Sequence, residues 1–123
     1  MKTFLKVLLI CGIYSSISFS QNVKFAAIGD YGNAGTNELN VSILVKSWNP
    51  EFIITLGDNN YPDGEASTID TNIGYYYHEF ISPYLGIYGT GDTINRFFPS
   101  LGNHDWNTVN AQPYLDYFTL PGN

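Results

Sequence analysis

The sequence predicts an α/β fold that opens with a βαβ unit, and three observations carry that reading. Phe52–Leu56 is rich in β-branched and aromatic residues and too short and too continuously apolar for an amphipathic helix, so it reads as a strand, and Val23–Ile28 is a second, mostly apolar run that ends in the same way. Between them, Leu39 with Ile43, and Val41 with Leu44, Val45 and Trp48, recur at three- and four-residue intervals, the spacing of a buried helical face. Each run then stops in glycine followed by an acid, Gly29-Asp30 and Gly57-Asp58. A right-handed crossover makes the two strands parallel and brings both acids out at one edge of the sheet. Open α/β sheets bind their ligands beyond that edge.

Taken in order, Thr36 can cap a helix that runs to about Trp48, where Asn49-Pro50 stops it. The strand from Phe52 follows at once and, being apolar throughout, reads as buried on both faces. Pro62-Asp63-Gly64 is a turn signal and Glu65–Asp70 a polar loop. From about Thr71 a second helix is expected, with Ile73, Tyr76 or Tyr77, Phe80 and Ile81 on one side until Pro83. Tyr84–Asn95, rich in glycine and tyrosine, reads as an ordered loop. Arg96–Leu101 is the third strand, and Pro99, which lacks a ladder donor, places it at an edge or a bulge. It too runs into glycine, in Gly102-Asn103-His104-Asp105. Trp106–Gln112 is loop, and Pro113 opens a short helix through Phe118.

Residues 1–20 read as a secretory signal peptide. Lys2 and Lys6 form a positive start, Val7–Tyr14 an apolar core, and Ser18-Phe19-Ser20 a small-x-small site, so cleavage is expected after Ser20 and residues 21–123 form the mature chain. A membrane span needs about 20 apolar residues, and Val7–Phe19 is shorter and broken by serines. The expected location is secreted or periplasmic, with no transmembrane segment in the mature chain. Losing Lys2 and Lys6 from the five Lys and Arg leaves three against eleven acids, a net charge of −8. That composition carries no basic footprint for nucleic acid. The single cysteine, Cys11, lies in the leader, so any metal must be held by oxygen and imidazole ligands.

Each loop at a strand end is weak evidence alone, since Gly29-Asp30-Tyr31-Gly32 could be a turn and Asp58-Asn59-Asn60 a helix cap. Together they deliver Asp, Asp and Asn/His to one edge, which is the donor set of a metal site. Asp30-x-Gly32, Gly57-Asp58-x-x-Tyr61 and Gly102-Asn103-His104-Asp105 resemble the first three sequence blocks of the purple acid phosphatases, a branch of the calcineurin-like metallophosphoesterases. Gly32 and Tyr61 narrow the resemblance to that branch. It implies that Asp30 and Tyr61 bind a first metal, Asp58 bridges two, Asn103 binds the second, and His104 contacts substrate or leaving group. It also implies a four-layer sandwich of two β-sheets flanked by helices, and a dinuclear centre of Fe3+ with Fe2+, Zn2+ or Mn2+.

Physical chemistry agrees with those roles. Two hard cations about 3.5 to 4 Å apart can generate hydroxide near neutral pH and stabilise both oxygens of an in-line displacement at phosphorus. A phenol ionises near pH 10, so Tyr61 becomes a good ligand only beside a strongly polarising cation. His104 could protonate a departing alkoxide, with Asp105 orienting its ring. His78, in the aromatic run Tyr75–Glu79, reads as a surface or packing residue. The expected function is metal-dependent hydrolysis of small phosphate monoesters. A phosphodiesterase or nucleotidase of the same superfamily is the alternative within the class, and a non-catalytic binding or adhesion module the alternative outside it. The family's later histidine blocks, Val-x-x-His and Gly-His-x-His, do not occur here, so the chain is expected to be the amino-terminal part of the catalytic domain and inactive alone.

Overall fold

The computed structural model describes residues 22–120. The leader and its cleavage site after Ser20 lie outside them. Three strands form one parallel sheet in the order β1 (Phe25–Ile28), β2 (Phe52–Thr55), β3 (Phe97–Phe98). Phe25 lies opposite Phe52, Ile28 opposite Thr55, and Ile53 opposite Phe97. The first connection holds α1 (Thr36–Ser47), so the chain opens with the expected βαβ unit. β3 lies at the edge and stops where Pro99 begins. From there Tyr114 of α4 (Gln112–Tyr117) donates to the Pro99 carbonyl at 2.8 Å, so a side chain takes over where the strand ladder ends.

The second connection is helical over a longer stretch than its sequence suggests. α2 (Ala66–Ile69) begins inside the expected polar loop and continues through a π-helical turn (Asp70–Gly74), α3 (Tyr75–Tyr77) and a 3-10 turn (His78–Phe80). Ser67 and Thr68 have weak helix propensity, and tertiary contacts start the helix instead. Asn60 donates to the Glu65 carbonyl at 2.8 Å and accepts from the Thr68 hydroxyl at 2.8 Å. The π turn carries Asp70, which accepts from the hydroxyls of Tyr84 and Tyr117 at 2.7 Å each. Those bonds order the glycine-rich segment after Pro83. His78 packs as expected, with its ring against Tyr84 and Nδ1 on the Gly74 carbonyl at 2.9 Å.

Two expectations about burial are overturned. β2 is buried on one face only: Ile53 and Thr55 point into a core shared with Ala26, Ile28, Phe97, Tyr77 and Phe118, whereas Phe25, Phe52 and Phe98 stack along the other face, which no described element covers. In α1, Leu39, Val41, Ile43, Leu44 and Trp48 are exposed and only Val45 of the expected stripe is buried. The inward stripe is Glu38, Ser42 and Val45. Apolar residues surround this helix on most sides, so hydrophobicity alone does not choose a face. The short connections to β1 and β2, and the contact with α3, choose it.

Glu38 is thereby buried, and neither carboxyl oxygen has a hydrogen-bond partner among the described residues. Burial pushes its pKa from the ordinary 4.5 up to about 9. Between those values the unfolded chain has lost the Glu38 proton while the folded chain keeps it, so stability falls as pH rises through this window. The Tm of Glu38→Gln should therefore fall less steeply between pH 5 and pH 9 than that of the wild type. Equal slopes in thermal melts would show that Glu38 is not buried in the folded state.

Candidate metal centre

Because the strands are parallel, their carboxyl ends meet at one edge, and the loops after β1, β2 and β3 touch through their backbones. Leu56 N–H donates to the Ile28 carbonyl at 2.8 Å and Tyr61 N–H to the Gly32 carbonyl at 2.8 Å. Glycine is required at two of these contacts. A Cβ on Gly32 would stand 1.7 Å from the Asn59 carbonyl oxygen, and one on Gly102 would stand 2.1 Å from the Asp58 nitrogen. Asp30 and Asp58 both adopt left-handed backbone, at φ 51° and 53°. Aspartate tolerates that region better than most residues, and here it turns both carboxylates off the sheet edge.

The expected site residues divide into three groups. Asp30, Asp58, Tyr61 and His104 are brought together. The Tyr61 hydroxyl donates to Asp30 Oδ1 at 2.7 Å and lies 3.3 Å from Asp58 Oδ2. Asp58 Oδ1 accepts the His104 backbone N–H at 3.0 Å, and the rings of Tyr61 and His104 are 4.2 Å apart. Asn103 is exposed at the rim, between Gly102, which packs on Asp58, and His104, which donates to it.

Asp105 does not orient the His104 ring, and that expectation is corrected. Its carboxylate is 1% exposed and accepts from the Asn59 backbone at 3.1 Å, the Asn59 amide at 2.8 Å and the Gly102 backbone at 2.8 Å. The His104 ring turns the other way, with Nδ1 against the Pro62 carbonyl. A carbonyl only accepts, so Nδ1 carries the proton and Nε2 is left free for a ligand.

Asn59 is the residue that the sequence did not single out. It is fully buried. Its amide oxygen accepts from Tyr31 at 3.0 Å and Thr55 at 2.6 Å, and its amide nitrogen also donates to the Ser100 carbonyl at 2.6 Å. It therefore ties all three loops together. Nothing in Asp58-Asn59-Asn60 distinguishes this from an ordinary polar turn.

Among the described residues no three His, Cys, Asp or Glu side chains lie close enough to hold an ion. The donor set is instead mixed, two carboxylates and a phenol. The hydrogen bond to Asp30 foremost, then burial and the charge of Asp58, hold the Tyr61 proton well above the ordinary phenol range. Three oxygens thus converge on one hydrogen, and they are hard donors of the kind that hard cations choose. The residues fit a metal. The family model for calcineurin-like phosphoesterases matches residues 23–123. The chain belongs to the calcineurin-like phosphoesterase family. No curated protein and no solved structure matches it. Members of this family hydrolyse phosphoesters with metal ions, typically at a dinuclear centre.

Removing the Asp105 carboxylate would leave the backbone N–H groups of Asn59 and Gly102 buried without acceptors, at roughly 1–3 kcal/mol each. Asp105→Ala should therefore destabilise the chain by about 3 kcal/mol in urea unfolding, whereas His104→Ala, on a half-exposed ring, should cost about 1 kcal/mol or less. Equal costs would remove Asp105 from its place as the anchor.

Proposed function

We propose that the chain is the amino-terminal part of a domain that hydrolyses small phosphate monoesters as a purple acid phosphatase-like member of its family, and that residues 21–123 are inactive without the later histidine blocks. The observation that carries this reading is the Tyr61 hydroxyl set between the carboxylates of Asp30 and Asp58. A phenol in that position suits a trivalent ion, because only a strongly polarising cation competes well for its proton. Asp30 and Tyr61 would hold ferric iron, Asn103 a second ion that is iron, zinc or manganese, and Asp58 both. When bound, the ions supply Lewis acidity and a nucleophile at neutral pH.

The chain's own residues do the rest. Asp58 is fixed by the His104 N–H at 3.0 Å, so its carboxylate is oriented before any ligand arrives. His104 keeps its Nδ1 proton on the Pro62 carbonyl, and only with a second proton on Nε2 would the ring act as a general acid, giving that proton to the leaving-group oxygen and returning to the neutral form. Asp105 acts through Asn59 and Gly102 and stays out of the chemistry. A carboxylate-rich site repels phosphate until cations reverse the local field, so activity should need metal from the first turnover. Export after cleavage at Ser20, to the periplasm or the medium, completes the reading.

Three experiments test it. In the completed domain loaded with ferric iron, the wild type should show a visible charge-transfer band, and Tyr61→Phe should lose the band while keeping the fold and most of the iron. In the completed domain Asp58→Ala should lose metal and aryl-phosphate hydrolysis together, whereas residues 21–123 alone should show no comparable hydrolysis even with added iron and zinc. A colourless wild type with confirmed ferric occupancy returns the chain to the wider family. Intact mass of exported protein should begin at Gln21, and a product that keeps Lys2 refutes the leader.

A further inference from the structure

Tyr75 and Tyr76 of α3 and Tyr88 of the glycine-rich segment line a cleft beside the start of α1. Their rings stand nearly at right angles. Tyr75 meets Tyr76 at 82° with centroids 4.8 Å apart, and meets Tyr88 at 86° with centroids 5.1 Å apart. Tyr76, 5% exposed, forms the floor, while Tyr75, 51% exposed, and the half-buried Tyr88 form the walls. Thr36, Leu39 and Thr71 close the sides of a space of about 370 Å³.

The rings are held before any ligand arrives. Gly35 N–H donates to the Tyr76 hydroxyl at 2.8 Å, and the Tyr88 and Thr71 hydroxyls share a hydrogen bond at 3.1 Å. Tyr88 N–H also donates to the Tyr84 hydroxyl at 3.1 Å, which in turn is bonded to Asp70. Among the described residues that line the cleft there is no lysine, arginine, acid or histidine. What the walls offer is the negative face of each ring, which attracts a cation without a hydrogen bond. A primary ammonium would give up water from three donors and find no carboxylate in its place. A quaternary ammonium has no donor to lose, and its methyl groups suit apolar walls. A flat base stacks on one face at a time, whereas a tetrahedral cation in a right-angled corner meets two.

We propose that this cleft is a binding site for a trimethylammonium group, held against the ring faces of Tyr75, Tyr76 and Tyr88. The space accommodates that group together with part of the chain that bears it. Its lining includes none of Asp30, Asp58, Tyr61 or His104, so binding needs neither metal nor turnover and does not rest on the phosphatase reading. Eleven Asp and Glu against five Lys and Arg give the chain a general attraction for cations, which the tyrosines then sort by shape and hydration.

Choline is the probe, followed by NMR through its N-methyl protons, which ring currents should move upfield as the completed domain is added. Two controls separate its parts. The alcohol in which a tert-butyl group replaces trimethylammonium has the shape without the charge, and ethanolamine has the charge without the methyl groups. Choline should bind saturably and each control about tenfold more weakly, the scale of a desolvated cation on aromatic faces. Tyr75→Leu and Tyr88→Leu should each weaken choline about fivefold, whereas Tyr75→Phe, which keeps the ring, should stay within about twofold of the wild type. Tyr75 is exposed, so its two variants keep the test alive even if Tyr88→Leu, which takes a partner from Thr71, folds poorly. No saturable binding, equal binding of either control, or unchanged affinity in Tyr75→Leu overturns the site. So does an equal loss in Tyr75→Phe and Tyr75→Leu, which would assign the contact to the hydroxyl and not to the ring.

Discussion

The site depends on one buried pairing, the Asp105 carboxylate with Asn59 and the Gly102 amide. Asp105 follows β3 and Asn59 follows β2, and Asn59 accepts from Tyr31 of the loop after β1. A charge 1% exposed is tolerable only when its lone pairs are filled by donors. The donors that fill it belong to the loops that carry Asp58, Asn103 and His104. Satisfying one buried acid thus fixes the spacing of the groups around the proposed metal centre. Thr55 and Ser100 extend the same network to the ends of β2 and β3, where the Ser100 hydroxyl donates to the Thr55 carbonyl at 2.7 Å.

Much of this was legible in the sequence, because strand ends and glycines leave local marks. The apolar runs that stop in Gly29, Gly57 and Gly102 predicted three parallel strands with their functional loops at one edge, and β1, β2 and β3 have that arrangement. The convergence of Asp30, Asp58 and Tyr61 followed from the same reasoning. What was not legible depends on contacts distant in sequence. Glu38 and Leu39 are adjacent in α1, and no periodicity tells which one faces α3 when apolar residues surround the helix. Asp105 follows His104 in the chain, yet a one-residue step in a tight turn sends the two side chains in opposite directions. Asn59 and Asn60 look like solvated turn residues, and both are buried.

The molecule also places stability and chemistry in opposition. Asp30 and Asp58 sit in a backbone region that costs about 1 kcal/mol or more for a residue with a Cβ. Glu38 is an acid with no hydrogen-bond partner among the described residues, set in a layer of tyrosines. Neither feature helps the chain to fold. The two aspartates lie at the carboxyl edge of the sheet, where groups held out of their comfortable states are available to a ligand.

The glycine contacts have a further consequence. Gly32 lies directly on the Asn59 carbonyl and Gly102 on the Asp58 nitrogen, so the loops have no slack in which to slide past one another. Loops usually owe their adaptability to such slack. Here the backbone around Asp58 is held as tightly as a core, so a ligand at this edge would meet groups already in place. Freedom to move at this edge is then left to the parts outside this frame, the exposed side chain of Asn103 and the half-exposed ring of His104.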